Sequence, residues 1–273
     1  QQWGLFALFH ITTMHQKALA LTRAREGPRT VVGAHVMARG SGAVNIAKSA
    51  MRVWPDNAVL QQLACGVLRA CRHDEKQEGD GRTLLELNGG DEVLSAMGRW
   101  REEPELQWEA LLFLSAHTDR GPMPVTVVDD AVEALQRHRS HLHVAAAGMN
   151  LLRRLLAAGV AGDRTGRAER MVELGVVEEA VGMLSLGASG DSALRRDLHH
   201  AAAGVLLMLL LDRDRVARDR LVANGGVAVV RQALEIARDD KGAFPSPASA
   251  DLAYSRAEEL SVWLGNLSAR LQR

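Results

Sequence analysis

Residues 49–61 read Ser49-Ala50-Met51-Arg52-Val53-Trp54-Pro55-Asp56-Asn57-Ala58-Val59-Leu60-Gln61, and residues 95–107 read Ser95-Ala96-Met97-Gly98-Arg99-Trp100-Arg101-Glu102-Glu103-Pro104-Glu105-Leu106-Gln107. The two align without a gap at an offset of 46: Ser49-Ala50-Met51 on Ser95-Ala96-Met97, Trp54 on Trp100, and Leu60-Gln61 on Leu106-Gln107. In the same register Ala64 meets Ala110, Leu68 meets Leu114 and Ala70 meets Ala116, nine identities at one spacing. Self-similarity at a fixed period of about 20–50 residues is the signature of a repeat architecture and decides the fold before any single element does.

A second set of matches marks helix-to-helix corners. Leu85-Glu86-Leu87-Asn88-Gly89-Gly90 is echoed by Leu221-Val222-Ala223-Asn224-Gly225-Gly226, and Met171-Val172-Glu173-Leu174-Gly175 has the same form. Asn or Gly takes the left-handed conformation that ends a helix and lets the next one leave at a steep angle. Gly40-Ser41-Gly42 reads as the equivalent corner of the first repeat. After the corners, apolar residues recur at helical spacing, as in Val93, Met97 and Trp100, Val177, Val181 and Leu184, or Val227, Val230 and Ala233. Longer apolar helices follow, expected over Ala58 to Cys71, Glu105 to Ala116, His141 to Leu156, Ala193 to Leu211 and Asp251 to Leu271. Loops are expected at His73 to Gly81, Arg120 to Pro124, Gly159 to Gly166, Gly187 to Ser192 and Asp239 to Ala250.

The unit is therefore short helix, Gly corner, helix, polar turn, long helix. Its parts are too small to bury an apolar face alone and must stack on their neighbours. Met171 to Val181 resembles the first corner of an armadillo repeat, and Leu264-Gly265-Asn266-Leu267-Ser268 resembles the end of its third helix. The resemblance covers most of the chain and implies an all-α, right-handed armadillo-like α-solenoid of about five repeats in a single domain, 1–273. Repeats are expected at 28–72, 82–118, 124–158, 167–211 and 215–271. The third is irregular and can be a two-helix unit of the related HEAT type. Residues 1–22 read as a partial N-terminal repeat, with Trp3 to Leu21 resembling a third helix, either an end cap or the edge of a longer array.

Composition agrees with helix-on-helix packing: 47% of residues are hydrophobic but only 4% aromatic. Thirty-three basic residues balance 33 acidic ones, so no net field draws nucleic acid or an anionic membrane. The longest apolar run, Ala201 to Leu211, is too short to span a bilayer. Cys65 and Cys71, six apart on one expected helix, point about 120° from each other and cannot form an ordinary disulfide. Both are expected to be reduced and buried in an intracellular, reducing compartment: cytoplasm, nucleus or organelle matrix. The start at Gln1-Gln2-Trp3 is expected to be a processing boundary and not a signal peptide.

No residue pattern calls for an enzyme, a cofactor or a metal. His138, His141 and His143 lack a Cys or carboxylate at matching spacing and are interleaved with Arg137 and Arg139, so a turn entering a helix is the simpler reading. His199-His200 after Asp197 has no marked nucleophile or oxyanion donor and reads as surface or groove histidine. Trp54 and Trp100 share one repeat position, where a large ring wedges between neighbouring repeats. The armadillo resemblance places a concave groove along the third helices and hence a partner surface at Gln62, Arg69, Trp108, Ser115, His200, Trp263 and Asn266. The repeated Trp and Asn pairs of importin-alpha-like members are missing, since Ala70 and Ala116 hold the Asn positions. The expected function is a non-catalytic protein-interaction or scaffold module within a larger assembly. The alternative is a structural subunit or helical arm embedded in an organellar or cytoskeletal complex.

Overall fold

The computed structural model describes residues 42–70, 85, 89–118, 123–124, 126–158, 161–185, 193–211, 215–224 and 228. The described residues are almost entirely helical and contain no strand. The elements are α1 (Ala43–Val53), α2 (Ala58–Ala70), α3 (Gly90–Arg99), α4 (Pro104–Ser115), α5 (Thr126–Arg137), α6 (Leu142–Ala158), α7 (Ala161–Glu173), α8 (Val176–Ser185), α9 (Ala193–Leu211) and α10 (Arg215–Ala223). The chain divides into two compact units, Gln1–Asp130 and Ala131–Arg273, the division falling within α5.

In the first unit α1 packs on α2, α3 on α4, and α2 along α4. The repeated identities are largely its core: Ala50, Met51, Leu60, Ala64 and Leu68 are buried, and so are Ala96, Met97, Leu106, Ala110 and Leu114. The buried polar pair Gln61 and Gln107, each 3% exposed, explains why polar residues sit among these apolar matches. A helix leaves its last carbonyls without intrahelical donors. The Gln61 side-chain amide donates to the Met51 and Trp54 carbonyls at 2.8 and 2.9 Å, tying the end of α1 to α2. Gln107 donates to the Met97 and Trp100 carbonyls at 2.9 and 3.0 Å, the same two bonds 46 residues on. The backbone between them repeats as well. Trp54 N–H donates to Ala50 and Asn57 N–H to Trp54, as Trp100 N–H donates to Ala96 and Glu103 N–H to Trp100.

In the second unit α6 packs along α9, α8 on α9, and α7 on both α6 and α8. The α7–α8 corner forms as the sequence suggests. Gly175 takes φ 86° and its N–H donates to the Val172 carbonyl, closing α7 and releasing α8 one residue later. In the first unit Gly89 takes φ 93° immediately before α3.

Two expectations change. The loop placed over Gly159 to Gly166 is helical from Ala161, so α7 begins six residues before the expected repeat boundary at 167. Gly162 and Gly166 are poor helix residues, and packing overrides that preference: Ala168, Met171 and Val172 bury the far end of α7. Trp54, expected to wedge between repeats, is 36% exposed, whereas Trp100 is half-buried with its indole N–H on the Pro55 carbonyl at 3.0 Å. The helix expected over Asp251 to Leu271, the segment Trp3 to Leu21 and the loop Asp239 to Ala250 lie outside the described residues.

Removing the amide donor should leave the Met97 carbonyl without it, while the Trp100 carbonyl keeps the Glu103 N–H. Gln107→Met should cost about 1–3 kcal/mol in urea unfolding, and Gln107→Glu, whose ionised carboxylate would face two carbonyls, should cost more as pH rises. A Gln107→Met loss no larger than that of Gln62→Met, at a half-buried position, would show that the donor is unimportant. Gly175→Ala should cost about 1 kcal/mol from its backbone conformation alone. Gly89→Ala should cost more by the same assay, since an added Cβ would also lie 2.9 Å from the Leu68 side chain.

Candidate functional site

Gln62 and Arg69 lie seven residues apart on α2, close to one helix face, and Trp108 and Ser115 are their counterparts 46 residues later on α4. Because α2 packs along α4, these four expected positions lie on two adjoining helices. Gln62, Arg69 and Trp108 are half-buried. Ser115 is a correction. It is only 5% exposed; His117 and Thr118 just after it are also buried, and the Thr118 hydroxyl donates to the Ser115 backbone carbonyl at 3.0 Å. Its side chain is not available to a partner.

Arg69 has a structural task besides any binding role. Its Nε donates to Glu109 at 3.0 Å, and the Glu109 side chain is nearly buried. The pair ties α2 to α4 and sits close to Cys65, a free, fully buried thiol. Burial, reinforced by the negative charge of Glu109, pushes the Cys65 thiol far above its ordinary range. A protonated thiol in a sealed core is neither a nucleophile nor a metal ligand, as its place on an Ala-rich helix suggests. Cys71 lies outside the described residues.

In the second unit His200 lies on α9, but its side chain is outside what the structure describes, and Trp263 and Asn266 lie outside it entirely. His199, read from the sequence as a surface or groove residue, is instead buried. The helix places it on the inward side beside Leu198 and Ala202. His141 acts at the start of α6, where its Nδ1 accepts the Val144 N–H at 3.4 Å, and its ring lies 5.9 Å from that of His143. Among the described residues no three His, Cys, Asp or Glu side chains are grouped to hold a metal ion.

One feature of the first unit escapes sequence reading. Between α1 and α3 lies a cleft of about 400 Å³ with Met51, Gln61 and Ala96 in its lining. Arg52 pairs with Glu92 across it, and Arg99 pairs with Asp56 at its edge. Beside these two ion pairs, Asp91 also lines the cleft. The only sequence hint is the 40-residue separation of Arg52 and Glu92, which Arg69 and Glu109 share.

The chain matches no protein-family model, no curated protein and no solved structure. Among the described residues no helix is long and apolar enough to cross a membrane.

The buried thiol has a direct consequence. In a Cys71→Ala chain, Cys65 should resist a thiol-specific aromatic disulfide reagent under native conditions and react on unfolding. Because the folded state keeps its proton where the unfolded chain releases it, this thiol should lower stability as pH rises above about 8.5, and Cys65→Val should flatten that decline. Rapid native labelling would contradict the assignment.

Proposed function

We propose that the chain is a right-handed armadillo-like α-solenoid of about five repeats, serving as a non-catalytic protein-interaction module that binds a partner along its third helices. The observation that supports this reading is the recurrence of one helix pair with one buried amide clamp, Gln61 and then Gln107, at a fixed 46-residue step. Repetition lays equivalent side chains side by side, which builds an extended surface and gives no reason for one deep reaction centre. The order helix, Gly175 corner, helix, long helix across α7, α8 and α9 is the three-helix form of the same unit. The two-helix segment α5 and α6 fits the irregular third repeat.

The surface of choice is the α2–α4 strip containing Gln62 and Trp108. Arg69 contributes mainly by holding the strip together through Glu109. A half-buried indole is a rigid contact that costs little conformational entropy on binding, and such residues dominate interface energetics. A balanced net charge fits an occupant that is another folded protein or a peptide, not a polyanion.

Photo-reactive residues at Gln62 and Trp108 in the full chain, exposed to an extract of the source cells, should capture one defined protein at both positions. Trp108→Ala, assayed by co-purification, should weaken recovery of that protein about five- to thirtyfold, in line with loss of an aromatic anchor of about 1–2 kcal/mol. Capture only from a control position such as Ser95, or recovery of the chain solely as a free monomer, would overturn the assignment.

A further inference from the structure

We propose that the exposed apolar face of α1 is a docking face for residues 6–24 of this same chain. The inference rests on the 46-residue register used above. In the second helix pair, three positions reach back to the first: Glu92 to Arg52, Arg99 to Asp56, and the Trp100 indole N–H to the Pro55 carbonyl. Forty-six residues earlier, those three positions are Ile46, Val53 and Trp54. They are 50%, 62% and 36% exposed, and with Val59 and Val216 they are the large exposed hydrophobic residues among those described. Ile46 and Val53 are seven apart on α1 and share a face. The surface that in α3 is charged and occupied is therefore apolar and open in α1.

The same step identifies what belongs on it. The residues that receive α3 are Arg52, Pro55 and Asp56, and 46 residues before them stand Phe6, Phe9 and His10. Where the later interface pairs Arg52 with Glu92, the earlier one sets Phe6 against Ile46, and Trp54 falls opposite Phe9. The Arg52–Glu92 pair becomes apolar on both sides and Pro55 gives way to Phe9 opposite the tryptophan, while at the third position Val53 faces His10 where Arg99 faces Asp56. The register continues past the interface: Gln16, Ala18, Arg23 and Ala24 are identical to Gln62, Ala64, Arg69 and Ala70. The segment itself lies outside the described residues; the face that receives it, on α1, lies within them.

A charge-graft cycle in the full chain tests the docking. Phe6→Arg and Ile46→Glu should each lower the thermal midpoint by about 3–6 °C, independent of protein concentration. Together they recreate the Arg52–Glu92 pairing, and the double variant should recover at least half of the summed loss. Simple addition of the two losses overturns the proposal. So does a recovery that disappears on dilution, which assigns the face to a second copy. Should charged variants fail to fold, Phe6→Cys with Ile46→Cys in a chain carrying Cys65→Val and Cys71→Ala gives a second test. Mild oxidation should form an intramolecular bridge, and no bridge, or an intermolecular one alone, overturns the docking. Photo-capture from Trp108 reads partner binding separately from both results.

Discussion

Short helices have a problem at their ends, and among the described residues of the first unit the buried glutamine amide answers it twice. A helix of 10 to 13 residues, the length of α1 to α4, has a large fraction of its carbonyls in the last turn, where no intrahelical donor follows. Packing such ends into a core without partners costs roughly 1–3 kcal/mol for each stranded group. A carboxamide nitrogen has two hydrogens, and Gln61 and Gln107 each use them on two carbonyls of the preceding helix end. The device fixes both the ending of one helix and the seat of the next. Elsewhere the same need is met by other side chains: Gln136 donates to the Leu174 carbonyl, Arg220 to Val172 and Arg167 to Leu155.

Charge is arranged around this frame by a second spacing. Arg52 and Glu92, Arg69 and Glu109, and in the second unit Arg139 and Glu179 are each 40 residues apart. In all three the carboxylate is nearly buried while the guanidinium is partly or largely exposed. A pair on open surface contributes little, but a carboxylate stranded at a packed interface is costly. These arginines therefore act as lids on inward carboxylates, and their value lies in specifying how one helix pair stacks on another as much as in net stability.

The helical class, the fixed 46-residue match, the Gly175 corner and the long helices α2, α4, α6 and α9 are legible in the sequence because they rest on local signals: periodicity, glycine and identity in register. Three features are not. Gly162 and Gly166 speak for a loop, yet tertiary packing of Met171 and Val172 carries α7 through them. Ser115 occupies the helix position equivalent to the half-buried Arg69, yet it is buried, a difference that the repeat register does not encode. The cleft between α1 and α3 depends on side-chain pairs 40 residues apart, a relation that no local pattern encodes.

Closure of two equivalent helix pairs by a buried carboxamide can be read by side-chain hydrogen exchange followed by nuclear magnetic resonance. The amide protons of Gln61 and Gln107 should exchange far more slowly than those of the half-buried Gln62, and both should be released together as the first unit unfolds. Fast exchange at either clamp, with the helices still folded, would contradict the account.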